Sequence, residues 1–200
     1  MHKRHFIHVA ACGALTGLAA SPAHVAAQHG PGALRGPVLL TVSGLIGAGN
    51  RGPMDPALDQ MMAKQKIVFT RAHVWDFAAL AALPAHTIKP TLEYDGKPHT
   101  LKGPALIDVM AACGVKVSDK TAFFVRAVDG YAAHLPAAEA VQRRFIIATH
   151  LDGRPMALGG LGPLWAVYDA DRYADMAAKP VNERFGGCPW ATYHIDVKEA

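Results

Sequence analysis

Three stretches of this 200-residue chain carry residue types and spacings that could do chemistry. The first is GGLGPLWAVYDADRY, Gly159 to Tyr173, where a glycine cluster runs into an apolar segment with a tryptophan. The second is VDGY, which sets Asp129 and Tyr131 around a glycine, and the third is NERFGGCPW, with Arg184 and Trp190 flanking Gly186-Gly187. Glycine clusters often cradle phosphates, but a P-loop needs a Lys and a Ser/Thr after its last glycine, and G-x-G-x-x-G needs a strand before it and a helix after it. Here Gly162 is followed by Pro163 and Leu164, the stretch holds no lysine, and the glycines precede the strand-like run. A nucleotide is excluded on chemistry and on order. Acyl-transfer chemistry of the G-x-S-x-G kind is excluded too, because that motif does not occur.

Metal chemistry finds little support. Past residue 27 the histidines are His29, His73, His86, His99, His134, His150 and His194, none in HxH or HExxH spacing. Cys113 and Cys188 are lone cysteines without a CxxC pair, so they do not make a zinc site. An oxidising compartment would permit a bridge between them, and the sequence alone leaves that open.

The elements that must position these residues follow from pattern. Residues 1–27 read as a cleavable secretory signal: His2, Lys3 and Arg4 form a basic start, FIHVAACGALTGLAA an apolar run, and Val25 and Ala27 the small residues of a cleavage site. Export to the periplasm is the expectation. Lys3 and Arg4 leave with it, so 18 basic residues face 16 acidic ones, and no basic block suited to nucleic acid remains. Residues 28–36 are a Gly/Pro-rich lead-in, expected to be flexible, and one domain follows over 37–198. Strands are expected at 38–47, 66–70, 121–136, 144–158, 162–171 and 189–198. A hairpin turns at Asp95-Gly96 within 86–103, and Asp-Gly turns punctuate the later strands. A short helix is expected around 56–63, another from an Asp76 N-cap to Pro84, and a third with Pro104 at its first position and Gly114 past its end. About eight strands with two or three helices make an α+β class with mixed β-sheets. Both faces of PLWAVY are apolar, so that strand reads as central, with Trp165 at a core position.

Four stretches in order, TLKGPALIDVM (100–110), AVDGYAAHLP (127–136), HLDGRPMALGGLGPLWAVY (150–168) and PWATYHIDV (189–197), resemble the oxidoreductase molybdopterin-binding domain, the sulfite-oxidase fold. The resemblance covers roughly 36–198 and points to the family's small, exported, single-domain members. It implies a mixed α+β domain with a pterin cofactor in a central cleft. The family's enzymes hold molybdenum through a pterin dithiolene and one cysteine thiolate, a soft ligand suited to such a metal. In the family that cysteine stands shortly before an aromatic, here Tyr94, and before the helix start, here Gly103-Pro104. Residues 90–93 are Pro, Thr, Leu and Glu, so the position lacks its thiol. The signal has Lys3-Arg4 and no Arg-Arg pair, whereas folded, cofactor-loaded enzymes travel on a twin-arginine signal. A chain threaded unfolded acquires its ligand outside the cytoplasm or works without one. Family members lacking the cysteine resemble pterin-binding proteins. They take a reduced, molybdenum-free pterin and relay its presence to the periplasmic part of a membrane enzyme of cyclic di-GMP signalling.

A pterin is flat and polar. It needs aromatic faces, a carboxylate for its amino edge, donors for its oxygens and glycines for close approach. The resemblance implies Tyr94, Asp129, Tyr131, Gly160 with its neighbours Gly159 and Gly162, Trp165, Arg184 and Trp190 as ligand-binding residues, with no catalytic and no metal-ligating residue. Each has a plain structural alternative. Tyr94 and Tyr131 could pack across strands, Asp129 could serve its turn, and Gly160 could sit in a long hairpin loop. Trp165 could be core, and Arg184 could be paired to a carboxylate, as arginines commonly are. Two further functions stay open: a molybdopterin-dependent oxidoreductase with an altered ligand set, and a ligand-free adaptor for a membrane partner, marked by an exposed apolar patch around 159–165.

Overall fold

The computed structural model describes residues 34–199, so the expected signal segment and most of the lead-in lie outside the described residues. Eleven strands and five short α-helices follow one another. A five-stranded sheet has the order β2 (Ala72–Trp75), β1 (Leu40–Gly44), β11 (Thr192–Glu199), β5 (Thr121–Ala127) and β6 (Ala132–Pro136). β1 and β11 run parallel and the other neighbours antiparallel. A second sheet has the order β3 (Ala85–Ile88), β4 (Leu101–Pro104), β8 (His150–Leu151) and β9 (Arg154–Pro155). A two-stranded ladder joins β7 (Ile146–Ala148) to β10 (Trp165–Val167). The α+β class with mixed sheets and few helices is what the sequence leads one to expect.

The main core lies on one face of the large sheet. Leu40, Val42, Phe123, Val125, Ile195 and Val197 meet Leu106, Val109 and Met110 of α3 (Leu106–Ala112) and the strand pair β7–β10 there. On the other face Met62 of α1 (Gln60–Lys64), Ile67 and Phe69 cover Ala72 and Tyr193. That second cluster explains a difference from the sequence pattern. Residues 66–70 alternate as a strand would, with Ile67 and Phe69 buried and Val68 83% exposed, yet they form no strand. Their side chains pack beneath the sheet, while Ala72–Trp75 makes the ladder to β1. Alternation reports a buried face and leaves open whether the backbone finds a partner.

Two helix ends behave as their residues dictate. Asp76 caps α2 (Phe77–Ala81) by accepting from the Ala79 amide at 2.7 Å, and it also accepts from the Arg35 and Gly36 amides. Those backbone donors hold its carboxyl below the usual range, and they tie down the end of the lead-in expected to be flexible. Gly114 stands just past α3 with φ +75°, as the stop signal requires. Pro104 closes β4 and Ala105 is the cap, so the helix begins two residues later than expected. β10 is wholly buried but not central: it pairs along its length with β7 alone and touches Trp190 through a single bridge. Layers on both of its faces, rather than strands on both edges, account for its apolar pattern. Among the described residues no helix is long and apolar enough to cross a membrane.

Candidate functional site

Three turns that are far apart in sequence converge on a cavity of about 300 Å³. The β3–β4 hairpin brings Glu93 and Tyr94, the β5–β6 hairpin brings Asp129 and Tyr131, and the loop before β11 brings Phe185, Gly186, Cys188, Pro189 and Trp190. Asp-Gly turns set the two hairpins, with Gly96 at φ +68° and Gly130 at φ +95°. Asp129 Oδ1 accepts from the Tyr131 amide at 2.9 Å, so this carboxylate serves its turn while its side chain lines the cavity. The Tyr131 hydroxyl donates to the Gly186 carbonyl and closes one wall.

Phe185 belongs to the core, but the other three aromatic side chains here do not. Tyr94 is 55% exposed, Tyr131 50% and Trp190 38%, so each keeps surface free for a ligand. Partial burial, with Glu93 beside it, pushes the Tyr94 phenol up to about 12, and it stays protonated as a donor. Glu93 adds a second carboxylate to the rim.

Four residues singled out from sequence, Tyr94, Asp129, Tyr131 and Trp190, therefore share one cavity. Three do not. Trp165 is fully buried beneath it and donates from Nε1 to the Cys188 carbonyl at 2.8 Å, so it supports the loop without lining the cavity. Each nitrogen of the Arg184 guanidinium donates one bond, to Asp171 Oδ1 at 2.7 Å and to the Lys179 and Ala177 carbonyls at 2.9 Å each. It fastens the 171–184 segment, and it does not line the cavity. Gly160 does not line the cavity either. Within its loop Gly162 is the constrained glycine: a Cβ there would fall 2.4 Å from Met156 Cβ and 2.6 Å from its carbonyl carbon. Gly162 packs on its own hairpin, Gly159 serves a positive φ of +96° with open space around it, and Gly160 meets only the Ala157 carbonyl at 3.6 Å. Leu158, 70% exposed, is the single large apolar side chain that 158–165 presents, so the apolar patch expected of an adaptor is not formed there.

Sequence reasoning missed Glu93 and Cys188. The second could have been found from its neighbour Trp190, two residues on. Cys113 and Cys188 are both free and buried, and no bridge joins them. Trp75 Nε1 reaches Cys113 Sγ at 3.3 Å, and burial pushes that thiol up to about 11. Burial pushes Cys188 up further, so it carries its proton. Among the described residues no group of His, Cys, Asp and Glu is placed to hold a metal ion. The aromatic faces, the two carboxylates and the protonated thiol suit a flat heterocycle with an N–H edge better than a bare metal.

No family model and no curated protein matches the chain. Among solved structures it is similar to the sulfane dehydrogenase SoxCD from Paracoccus pantotrophus, with a TM-score of 0.50 and 13% identity over 80% of this chain. The match spans 38% of the SoxCD chain. At that identity the likeness is one of fold, the mixed α+β architecture described above.

Proposed function

We propose that the chain is an exported pterin-binding protein that takes a reduced, molybdenum-free pterin into the Tyr94–Trp190 cavity. The carrying observation is the convergence of Tyr94, Tyr131 and Trp190 with Asp129 and Glu93 on one cavity of about 300 Å³. The aromatic rings stack on the heterocycle, and the carboxylates accept from its 2-amino and N3–H edge. Export rests on the basic and apolar pattern of residues 1–27. The downstream role is relay of the pterin's presence to the periplasmic part of a membrane-bound cyclic di-GMP enzyme. It rests on the family resemblance and the missing cysteine.

One observation favours a second reading, a molybdopterin-dependent oxidoreductase with an altered ligand set. Cys188 contributes a thiol to the cavity wall. A molybdenum held through a pterin dithiolene would find its soft ligand there, at the cost of the proton that burial now retains.

Native mass spectrometry of anaerobically purified protein, with elemental analysis, separates the readings. A bound mass of a few hundred daltons without molybdenum supports the pterin-binding reading. Stoichiometric molybdenum lost in Cys188→Ala supports the enzyme. Titration with tetrahydrobiopterin, read by intrinsic tryptophan fluorescence with Trp190→Phe as the control, then measures affinity; no response from the wild type would sink the pterin-binding reading.

A further inference from the structure

Two walls of the aromatic cavity are not bonded directly to each other. The hairpin after β3 carries Glu93 and Tyr94, and the loop before β11 carries Phe185 to Trp190. Among the described residues no hydrogen bond or ion pair runs from 90–99 to 185–190. Each wall is anchored elsewhere. His99 fastens the hairpin to Asp152 at 2.7 Å, while the Tyr131 hydroxyl and Trp165 Nε1 hold the Gly186 and Cys188 carbonyls of the loop.

One side chain reaches both segments. Asp171 Oδ2 accepts from the Thr91 amide at 2.7 Å, on the strand-like run that leads into Glu93 and Tyr94. Its Oδ1 accepts from Arg184 Nη1 at 2.7 Å, next to Phe185 in the chain. Both bonds have the short length that a charged acceptor gives. The Thr91 amide is available because β3 is an edge strand of its sheet, and the chain running on from it turns alternate amides outward. Asp169 takes the Lys89 amide at 3.3 Å and Asp171 takes that of Thr91, so the turn 169–171 caps this edge. Arg184 is braced from behind by the Lys179 and Ala177 carbonyls at 2.9 Å each, and its own carbonyl accepts from the Tyr168 hydroxyl at 2.9 Å. Arg184 is therefore a fixed post, and Asp171 joins the hairpin to it.

We propose that Asp171 is a positioning residue for the aromatic cavity, a clasp that sets the gap between the Tyr94 wall and the Trp190 wall. Asp171 does not line the cavity, so it acts on a ligand only through Thr91 and Arg184. In its effect on affinity the proposal rests on the reading of this cavity as a pterin site. A flat heterocycle binds best to stacking faces already held in place, because a wall that wanders must be ordered on binding, at a cost in affinity. The Asp171 side chain is 33% exposed, and a pair so placed adds little to global stability. Its contribution lies in geometry. Arg184 thereby serves the site without touching the ligand.

The test places nitroxide spin labels at Lys97→Cys on the hairpin and Gly187→Cys in the loop, and reads their separation by dipolar electron paramagnetic resonance with no ligand present. Lys97 is exposed, a Cβ on Gly187 meets nothing within 4 Å, and Cys113 and Cys188 are buried, so the introduced thiols are the ones that label. Asp171→Ala is expected to broaden the distance distribution. In the unlabelled protein it is expected to weaken tetrahydrobiopterin binding about tenfold, with Tm within about 2 °C of the wild type. Asp175→Ala is the control. It takes a carboxylate of the same segment from Arg143, 2.8 Å away, in a pair that reaches neither wall, and is expected to leave distance and affinity unchanged. Should Asp171→Ala fail to fold by circular dichroism, Asp171→Asn, which keeps the shape and drops the charge, carries the same readouts. An unchanged distribution overturns the proposal, and so does equal broadening in Asp175→Ala. Broadening without loss of affinity, in a wild type that binds, overturns it as well. A wild type that does not bind tetrahydrobiopterin sinks the pterin reading alone, and the spin-label distances still decide the clasp.

Discussion

Two glycine-rich loops stand out in the chain, and the glycine that each holds nearest its following strand meets opposite surroundings. In the loop 159–162 a Cβ on Gly162 would strike the Met156 backbone, so that glycine is demanded by packing. In the loop 185–190 a Cβ on Gly186 or Gly187 would meet nothing within 4 Å. There Gly186 lines the cavity that Tyr131 and Trp190 also line. The first loop has the denser glycine pattern, and it is the second that faces the space. Glycine spacing therefore says that something comes close. It does not say whether the close thing is the protein's own backbone or a ligand.

The largest expected effect breaks the first loop. Gly162→Ala must displace Met156 backbone, and the mutant is expected to lose about 3 kcal/mol, a fall in Tm of roughly 10 °C by circular dichroism. Gly186→Ala is expected to stay within about 0.5 kcal/mol of wild type. Equal losses in both would erase the distinction between the loops. Gly186→Phe sharpens it from the ligand side. A bulky ring on a residue that lines the cavity competes with the ligand for space, so tetrahydrobiopterin titration should show affinity falling about 100-fold while Tm holds. Trp190→Ala tests the stacking face, with an expected loss of roughly 10- to 100-fold, the range that an aromatic platform under a flat heterocycle provides. Unchanged affinity in both variants would move the binding site elsewhere.

How much of this was legible in the sequence depends on what each residue's partner was. Asp-Gly at 95–96, 129–130 and 152–153 announced turns, because the glycine takes a positive φ whatever the rest of the chain does: +68°, +95° and +79°. Asp76 announced a helix start because its acceptor serves amides only three residues on. Tyr94, Asp129, Tyr131 and Trp190 could be named from motifs, but nothing in their spacing showed that three separate turns would bring them to one cavity. A carboxylate pair for Arg184 was one of the two readings, but its partner could not be named, because Asp171 lies 13 residues away along an irregular segment, where no period predicts a contact. Lys66 to Thr70 was misjudged because alternation is the same for a laddered strand and for an extended segment plugging a sheet face. Local signals survive translation into structure. Signals that depend on a distant partner do not.

The next prediction concerns the support beneath the open loop. Trp165 Nε1 holds the Cys188 carbonyl from a fully buried position. Trp165→Phe removes that donor and leaves a buried carbonyl unmet, at an expected cost of about 2 kcal/mol in thermal unfolding. Hydrogen exchange should quicken in 185–190 and stay unchanged in 159–162, whose packing rests on Met156. Faster exchange in both loops would mean that they open as one unit.

The smallest expected effect lies on the opposite wall. His99 ties the hairpin turn carrying Tyr94 to the β8–β9 turn, through Asp152 at 2.7 Å and Asp95 at 3.1 Å. The hydrogen bond to Asp152, then that to Asp95, holds the imidazole above its ordinary value of 6.5, and the same pairing holds both carboxyls below theirs. The sign follows from those directions. Because the folded pKa of His99 is raised, its contribution is complete below the unfolded value and fades as pH rises through the folded one. The carboxylates contribute above their unfolded value, and that part fades as pH falls through their folded ones. The tie is therefore firmest in mildly acid solution. Tm is expected to fall by about 1–2 °C between roughly pH 5.5 and pH 8.5 from this cluster, the small size reflecting its contact with water. His99→Gln should flatten that slope, and about 1 M salt should flatten it in the wild type. Because the turn carries Tyr94 and not the glycine loops, pterin affinity should follow the same pH trend, while exchange in 159–162 and 185–190 stays level. A slope that survives His99→Gln would assign the pH dependence to another group and leave the Tyr94 wall held by its backbone alone.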